Sequence, residues 1–311
     1  MINVVLATDN NYLQHTCVTL VSLFSNTNPS DLTINLLYND LNEIELETIR
    51  KCVNQNNSNI VFYLIDTSRL KGFLISNHIS LGAYFRLLVG DVLPIELEKV
   101  IYLDSDLVIL DDIKKLYNSF DFEETLGAVP QPMSKEHKRF IAINPNSTYF
   151  NSGVLLINLK KWRELNIFNK ALNLIESREA GFPYWDQDIL NILFENKYQT
   201  INLRWNMIYS YCTLYKRHFK RVKFGIIHYT GSKKPWDAKS YHPYKRLYWK
   251  YFKETPLSKG KHRKIKAAQI AYEAGKFLQI KLKLDMLKLA MSGNLDKEFD
   301  FKKFTNKNID L

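Results

Sequence analysis

The chain has 311 residues, of which 46% are hydrophobic and 13% aromatic. This length and composition allow one large domain or two small ones around a buried core. Its three cysteines show no Cys-x-x-Cys spacing, which argues against a disulfide framework or a structural zinc site and fits a reducing cytosol. Neither a signal peptide nor a run of about 18 apolar residues is visible, so we expect a cytoplasmic protein without membrane-spanning helices.

The net charge of +11 is concentrated at the C-terminal end of the chain. Residues 245–311 contain 17 Lys and Arg against 7 Asp and Glu, whereas residues 1–244 contain 26 against 25. A charge asymmetry of this size suggests a polyanionic partner for the C-terminal end only.

Strand and helix patterns alternate along the first 65 residues, which predicts βαβ units and a Rossmann-like, largely parallel α/β sheet flanked by helices. Asp9 and Asn10 end the first strand and would face the crevice beyond the strand ends, where such sheets bind ligands. No Gly-x-Gly-x-x-Gly follows that strand, so a bound nucleotide would be held by side chains and a metal. The predicted strands are 2–8, 32–38 and 60–65, and the predicted helices are 12–26 and 42–54.

The most informative stretch is Asp104-Ser105-Asp106, a polar triplet between the apolar runs 100–103 and 107–110. Two carboxylates at i and i+2 can point into one site, where they repel each other unless a cation lies between them. Mg²⁺ or Mn²⁺ suits hard carboxylate oxygens and a substrate phosphate. The alternative is an ordinary surface turn between two strands.

A second polar cluster follows a short apolar strand, which delivers His228 to a turn built on Gly231. Imidazole is a natural further ligand for Mn²⁺ beside two carboxylates. Lys233 or Lys234 would then supply positive charge next to a diphosphate. The alternative for His228 is packing in the core.

A third cluster is Tyr184-Trp185-Asp186-Gln187-Asp188. It combines carboxylates, an amide and aromatic faces, which together are what a pyranose ring requires. The alternative is that Asp186 or its neighbour caps the helix that follows.

Two further polar positions interrupt apolar segments. Arg86 either pairs a carboxylate or contacts a phosphate. Asn151-Ser152-Gly153 is interpreted as a polar, flexible turn before a strand at 154–158. It could offer an amide to sugar hydroxyls, or it could be an ordinary turn.

Taken together, these stretches resemble the glycosyltransferase family 8 enzymes over about residues 2–240, close to the lipopolysaccharide α-galactosyltransferase type and more distantly to glycogenin. Their combination in the family's order is specific, although no single motif is decisive. The matching motifs are Ala7-Thr-Asp-Asn10, Ala83-Tyr-Phe-Arg-Leu87, Tyr102-Leu-Asp-Ser-Asp106, Phe150-Asn-Ser-Gly-Val-Leu-Leu-Ile-Asn158, Asp186-Gln-Asp188 and His228-Tyr-Thr-Gly-Ser-Lys-Lys-Pro-Trp236.

The resemblance implies a GT-A fold in residues 1–240 and an enzyme that moves a hexose, galactose or glucose, from a UDP-sugar to a hydroxyl of a glycan, glycoprotein or glycolipid, with retention at the anomeric carbon. It implies Mn²⁺, or Mg²⁺, held by Asp104, Asp106 and His228. It also implies that Asp186 and Gln187 act in catalysis, with Gln187 as a polar stabiliser near the reacting carbon. The implied donor-binding residues are Ala7, Asp9, Asn10, Arg86, Asn151, Gly231 and Lys234.

The acceptor side of the implied site comprises His78, Gln131 and Tyr184. Many relatives carry an Asp where this chain has Gln131, after Gly127-Ala-Val-Pro. That difference argues against transferring any relative's acceptor to this protein, and against a general base at this position. It does not affect the implied donor or metal ligands.

Residues 241–311 are predicted to form a basic, aromatic extension. Aromatic residues alternate with bases from Tyr241 to Tyr251, and a helix is predicted within 262–291, although 278–284 also alternates with period two. Aromatic rings and bases favour an anionic membrane surface, so we expect peripheral, reversible attachment to the inner leaflet. The alternative is a basic extension packed on the main domain. No recognised nucleic-acid module accompanies the charge, so no nucleic-acid partner is expected.

Two other classes of function fit parts of the sequence. One is a UDP-sugar- or carbohydrate-binding protein of the same fold that has lost catalysis, although the complete set of metal ligands argues against it. The other is an adaptor held at a membrane or nucleic acid by its basic end, which would leave the first 240 residues unexplained.

Overall fold

The computed structural model describes residues 1–70, 73, 81–121, 123–178, 181–218, 223–231, 234–237 and 240–258. The strands are β1 (Ile2–Thr8), β2 (Leu32–Tyr38), β3 (Asn59–Leu64), β4 (Lys99–Leu103), β5 (Leu107–Ile109), β6 (Leu126–Pro130), β7 (Phe150–Asn158), β8 (Gln199–Thr200) and β9 (Ile226–His228). The α-helices are α1 (Leu13–Phe24), α2 (Glu43–Asn54), α3 (Val89–Val92), α4 (Ile113–Asn118), α5 (Lys135–Phe140), α6 (Leu159–Glu164), α7 (Ile167–Glu176), α8 (Trp185–Leu193), α9 (Tyr209–His218) and α10 (Lys245–Phe252). Short 3-10 helices lie at Asn10–Tyr12, Pro29–Asp31, Thr67–Leu70, Leu81–Leu88 and Leu203–Trp205.

A mixed sheet with the strand order β3-β2-β1-β4-β7-β6-β8 forms the centre of the described fold. The strands β3, β2, β1 and β4 are parallel, as the alternating patterns predicted. The strand β7, however, is antiparallel to both β4 and β6. The predicted α/β architecture of a mixed sheet flanked by helices is therefore confirmed. The expectation that the sheet is largely parallel holds only for its N-terminal half.

The two faces of the sheet support two hydrophobic clusters, and β1 contributes to both. Val4 and Leu6 pack in the cluster that contains α1 and α2, whereas Val5 and Ala7 pack in the cluster that contains α6, α7 and α8. All four side chains are buried. A parallel strand that is covered on both faces needs such a continuous apolar run, which explains why this segment shows no polar alternation.

The strand β5, which follows Asp106, is hydrogen-bonded to a row of polar side chains. These side chains lie on α1 and just after its end. Thr19 Oγ1 accepts from the backbone N–H of Leu107 at 3.2 Å. Ser22 Oγ accepts from the N–H of Ile109 at 2.9 Å, and Asn26 Nδ2 donates to the carbonyl of Ile109 at 3.1 Å. Residues at this spacing lie on one helix face, so α1 satisfies backbone groups of β5 that would otherwise be buried without partners.

The residues directly after position 240 pack on the rest of the fold. The helix α10 lies against α1, and Tyr248, Tyr251 and Phe252 are buried in the cluster that contains α1. These aromatic side chains therefore serve packing, which was the alternative to a membrane-facing role for this stretch. A domain boundary at residue 240 stays a prediction, and the helix predicted within 262–291 lies outside the described residues.

In the described part of the chain, no helix is both long enough and apolar enough to cross a membrane. The three cysteines, Cys17, Cys52 and Cys212, are buried free thiols.

Asp111 anchors the segment after β5. It pairs with Lys115 Nζ at 2.8 Å and with Arg204 Nη2 at 2.5 Å. Partial burial raises the pKa of Asp111, but hydrogen bonds from Lys115 and Arg204 outweigh this and lower the pKa from 3.8 to about 2. Because the folded-state pKa lies below the unfolded value, the carboxylate stabilises the fold above about pH 4, and this stabilisation is lost as the pH falls towards about 2.

The variant Asp111→Asn is therefore expected to lower the free energy of unfolding at neutral pH by about 1 kcal/mol, since an amide pairs weakly with two cations. Urea denaturation at neutral and acidic pH would measure the difference from the parent, which should shrink below about pH 4. The control is Asp91→Asn, which breaks the exposed ion pair with Arg69 and should cost about 0.5 kcal/mol or less. A loss that stayed the same at every pH would contradict the role of the ionised carboxylate.

Candidate active site

A cavity of about 1010 Å³ opens where β1 and β4 end. This is the carboxyl edge of the parallel strands, where open α/β sheets bind their ligands. Ala7 and Asp9 reach the cavity from the end of β1, and Asp104 and Asp106 reach it from the end of β4. The carboxylates predicted to share one crevice therefore do so.

Asp104, Asp106 and His228 converge in this cavity, and one possible ligand atom from each lies within 4.8 Å of the others. His228 Nε2 is 3.5 Å from Asp104 Oδ2 and 3.2 Å from Asp106 Oδ1. The strands β5 and β9 pair antiparallel with Leu107 opposite His228, and this register brings the imidazole beside Asp106. Two carboxylates and an imidazole around one point form a donor set that fits Mn²⁺ or Mg²⁺.

Gly153 in β7 provides the space that these three groups need. A Cβ atom on Gly153 would lie 2.2 Å from Cε1 of His228 and 2.5 Å from Oδ2 of Asp104. The close approach follows from the pairing of β4 with β7, since the backbone N–H of Asp104 donates to the carbonyl of Gly153 at 2.9 Å. A side chain at position 153 would thus enter the space between the candidate metal ligands.

Asn206 orients His228 from the side opposite the carboxylates. Its Oδ1 lies 2.9 Å from Nδ1 of His228, and its Nδ2 donates to Oδ1 of Asn151 at 2.8 Å. Because a carboxamide oxygen can only accept, Nδ1 carries a ring proton, and Nε2 is the nitrogen that faces the carboxylates and that could bind a metal. Histidine ligands are commonly oriented in this way. No motif in the sequence pointed to Asn206.

Lys234 supplies positive charge directly beside Asp106. Its Nζ is 2.5 Å from Asp106 Oδ2 and donates to the carbonyl of Tyr229 at 2.9 Å. Burial raises the pKa of Asp106, but Lys234 and His228 overcome this effect and hold that pKa well below its usual range. Burial likewise lowers the pKa of Lys234, and Asp106 reverses this, so that the pKa is raised. Both side chains are therefore charged at neutral pH.

Arg86 bridges two carboxylates of the cavity. Its Nη2 is 2.7 Å from Asp104 Oδ1, and its Nε is 3.0 Å from Asp186 Oδ2. Its Nη1 donates to the carbonyl of Ser152 at 2.5 Å. Of the two roles left open for Arg86, carboxylate pairing is thus present in this structure. Burial raises the pKa of Asp186 to about 6, although the neighbouring Arg86 opposes the rise.

The helix α8 carries Asp186 and Gln187 into the lining of the same cavity, whereas Asp188 is fully buried and is not among the lining residues. The capping role considered for Asp186 or its neighbour does not take the form of a side-chain N-cap, because the N-cap residue of α8 is Tyr184 and it makes no side-chain cap hydrogen bond. The Asp186 carboxylate pairs with Arg86 and accepts from Ser152 Oγ at 2.9 Å. Asp188 instead accepts from the backbone N–H of Tyr184 at 2.8 Å. The two acids on either side of Gln187 therefore have different partners.

The amide of Gln187 is held in one orientation. Its Oε1 accepts from Asn151 Nδ2 at 2.8 Å and from the backbone N–H of Ser152 at 3.2 Å. Its Nε2 donates to the hydroxyl of Tyr149 at 3.0 Å, and that hydroxyl donates to Asp188 Oδ1 at 2.7 Å. This buried chain of hydrogen bonds fixes which side of the amide faces β7.

Asn151, Ser152 and Gly153 belong to β7, every residue of which is buried. The interpretation of this stretch as a flexible turn was therefore wrong. The register between β6 and β7 shifts between Ala128 and Val129, beside Asn151. Irregularities of this kind re-aim side chains next to functional sites, and here Asn151 contacts Gln187, Asn206 and Gln131.

The remaining predicted site residues differ in where they lie. Asn10 is exposed and is not among the residues that line the cavity; its backbone N–H donates to Asp40. His78 lies outside the described residues. The other predicted residues that line the cavity are Asp9, Gln131, Tyr184 and Gly231.

Some aromatic residues line the cavity without having been singled out individually, among them Tyr12, His15 and Trp236. The His15 ring stacks on the Trp236 ring, with 3.3 Å between centroids and 13° between planes. Tyr12 follows the polar end of β1 directly, and that position was a usable signal. The contact between His15 and Trp236 joins distant parts of the chain and has no local signal.

Residues 3–240 match the model of Glycosyl transferase family 8. This match covers most of the chain, and the chain therefore belongs to Glycosyl transferase family 8. It is a glycosyltransferase enzyme, and the family predicted from the motifs is confirmed.

Three similar proteins illustrate the relationship. The chain is 27% identical to general stress protein A of Bacillus subtilis over 269 residues, which is 82% of this chain and 94% of that protein. It is 28% identical to a lipopolysaccharide 1,2-glucosyltransferase of Escherichia coli K12 over 258 residues, or 79% and 76% of the two chains. The fold matches the crystal structure of the galactosyltransferase LgtC in complex with donor and acceptor sugar analogs, with a TM-score of 0.75, 27% identity and coverage of 82% and 96%. This match confirms the GT-A-like fold.

Replacing Gly153 by Ala is expected to weaken Mn²⁺ binding by about tenfold or more, the scale on which displaced neighbours of metal ligands act. The added methyl group would push His228 and Asp104 apart. Isothermal titration with Mn²⁺ would measure the change. The matched control is Gly127→Ala in β6, where the nearest atom to an added Cβ is on Phe120 at 3.0 Å. Unchanged Mn²⁺ affinity in a folded Gly153→Ala protein would contradict the assignment of Asp104, Asp106 and His228 as the metal ligands.

Proposed function

We propose that the chain is a Mn²⁺-dependent, retaining hexosyltransferase that moves galactose or glucose from a UDP-sugar to a hydroxyl of a glycan, glycoprotein or glycolipid. The observation that carries this proposal is that the Asp104–Asp106–His228 cluster, Lys234 and Gln187 all line one cavity. The cluster together with Lys234 suits a diphosphate, and Gln187 suits a sugar ring.

The donor's diphosphate would lie beside Asp106 and Lys234. UDP is a poor leaving group until the charge that develops on its β-phosphate is neutralised. A Mn²⁺ or Mg²⁺ ion held by Asp104, Asp106 and His228 would supply part of that neutralisation when bound. Lys234 would supply the rest, since its buried ammonium is already held in the cavity by Asp106 and by the carbonyl of Tyr229.

The donor sugar would lie against Arg86, Asn151, Asp186 and Gln187. Asp186 is already paired with Arg86. Asp188 is fully buried, with Tyr149 and His137 at 2.7 Å from its Oδ1. These contacts leave neither carboxylate well suited to attack the sugar, which supports a front-face displacement. The acceptor oxygen would bond to the anomeric carbon on the face that the phosphate leaves, and the acceptor proton would pass to the departing phosphate oxygen.

The names of similar proteins support a hexose as the transferred group and a bacterial surface glycan as the acceptor. One is a lipopolysaccharide 1,2-glucosyltransferase, and another, from Salmonella typhimurium and 26% identical, is a lipopolysaccharide 1,3-galactosyltransferase. On the proposed acceptor side, Gln131 accepts from Asn151 Nδ2 at 3.1 Å. Because the side chain at that position is a neutral amide, we infer that it binds the acceptor hydroxyl by hydrogen bonds and does not deprotonate it as a carboxylate would.

The decisive experiment measures release of UDP from a panel of UDP-sugars without acceptor, with Mn²⁺ and with EDTA. We expect slow hydrolysis of one UDP-hexose that EDTA abolishes. Asp106→Asn should remove this activity with the fold intact, because it removes a charged ligand. Asp111→Asn is the matched control, since it makes the same chemical change outside the cavity and should retain activity.

The alternatives predict other outcomes of the same experiment. Mn²⁺-dependent UDP binding without turnover, even with added glycan acceptors, would favour a UDP-sugar-binding protein that has lost catalysis. No UDP binding at all would overturn the proposal. Full activity in Asp106→Asn would refute the metal role of that residue.

We also propose a cytoplasmic enzyme that attaches reversibly to anionic membrane surfaces through its basic C-terminal end. On α10, Arg246 and Lys250 are exposed, and the charge excess continues through the residues beyond it. The full chain should float with vesicles that contain phosphatidylglycerol at low salt, and it should be released at high salt because screening weakens the attraction. Vesicles of phosphatidylcholine alone are the control. Failure to float with the anionic vesicles would contradict this proposal.

A further inference from the structure

The helix α10 lies beyond the residues that match the family, which end at 240, yet it packs on α1, which carries the cavity-lining residue His15. Its buried face includes Tyr248 and Phe252, which are 1% and 0% exposed. A helix that only covered the core would contribute apolar contacts. Two residues of α10, Tyr248 and Trp249, instead direct polar groups toward residues that line or adjoin the cavity.

The hydroxyl of Tyr248 binds two residues of α1. It accepts from Gln14 Nε2 at 2.8 Å, and it lies 2.7 Å from Nδ1 of His15. Accepting from Gln14 leaves the hydroxyl proton available for the imidazole nitrogen. This contact fixes the plane of the His15 ring, which lines the cavity and is itself 7% exposed.

The orientation of His15 matters because Trp236 stacks on it, and Trp236 is two residues from Lys234. The ring of Trp236 also lies 5.2 Å from that of Tyr248. Pro235, between Lys234 and Trp236, is held as well, because its carbonyl accepts from Trp249 Nε1 at 3.2 Å. Both residues after Lys234 are thus fixed by α10, directly or through His15.

A third contact holds Tyr229, which precedes Lys234 in the chain. The hydroxyl of Tyr229 donates to the carbonyl of Tyr244, the residue before α10, at 3.1 Å. The carbonyl of Tyr229 is in turn the second acceptor of the Lys234 ammonium. The position of the ammonium beside Asp106 therefore depends on contacts with residues 244–249.

We propose that α10 is a positioning element of the donor site and that Tyr248 is the residue through which it sets the His15–Trp236 wall and the place of Lys234. This inference rests on the proposed binding of a nucleoside diphosphate in the cavity. It adds that a helix outside the family match determines how tightly this chain holds that diphosphate.

The test compares Tyr248→Phe with Tyr251→Phe in the full-length protein. Both changes remove one buried hydroxyl from the same helix, and both hydroxyls bind residues of the α1 region. Tyr251 accepts from Asn26 Nδ2 at 3.1 Å, and it is not among the residues that line the cavity. The pair therefore separates an effect on the donor site from a general loss of packing on α1.

The measurements are thermal unfolding and the Kd of UDP in the presence of Mn²⁺, taken well below both unfolding midpoints. Tyr248→Phe should raise the Kd by about fivefold or more, because loss of its bond to His15 would let the His15–Trp236 wall and Lys234 shift away from the diphosphate. Tyr251→Phe should leave the Kd within about twofold while lowering the midpoint to a similar extent. Trp249→Phe, which removes the bond to Pro235 together with part of the ring contacts to Tyr248 and Phe252, should also raise the Kd and serves if Tyr248→Phe does not fold.

Each remaining outcome counts against the proposal. Unchanged UDP affinity in Tyr248→Phe and Trp249→Phe would overturn it while leaving the donor site intact. Equal weakening in Tyr248→Phe and Tyr251→Phe would reduce α10 to a packing element. Failure of the parent protein itself to bind UDP would overturn the proposed function, and this inference with it.

Discussion

Three carboxylates, Asp104, Asp106 and Asp186, lie at one end of the sheet, and the need to compensate their charge shapes everything around them. Buried anions are stable only when cations and hydrogen bonds replace the lost water. Arg86 meets this need for Asp104 and Asp186, and Lys234 meets it for Asp106. The cations come from separate segments of the chain, so the charge balance of the cavity depends on the whole fold.

The sheet assembles these segments by changing strand direction at its centre. In the parallel half of the sheet, β1 and β4 end at the same edge, which brings Asp9 and Asp104 into one cavity. The antiparallel β7 then runs past the end of β4 and contributes backbone and small side chains where bulky ones would not fit. The ends of the parallel strands thus supply the carboxylates Asp9 and Asp104, and Gly153 of the antiparallel strand leaves space beside Asp104 and His228.

The local features of this architecture were predictable from sequence, and the long-range ones were not. Strand and helix periodicity predicted the first five elements to within two residues. The triplet Asp104-Ser105-Asp106 stood out because folding alone gains nothing from carboxylates inside an apolar run. Asn151 to Gly153 was misread as a turn because Asn, Ser and Gly are common turn residues. Gly153 lacks a side chain because a Cβ atom there would collide with His228, and no local sequence pattern encodes that proximity. Asn206 and His15 were missed for the same reason, since their partners are remote in sequence.

The antiparallel pair of β5 and β9 has only three residues on each strand, and it has its own ladder apart from the main sheet. Asp106 directly precedes one strand, and His228 ends the other. An ion that bound both side chains would therefore act as a cross-link between segments more than a hundred positions apart. By mass action, its binding free energy would be added to the stability of this short ribbon. The stability of the ribbon and the affinity of the site for the ion would then be thermodynamically coupled.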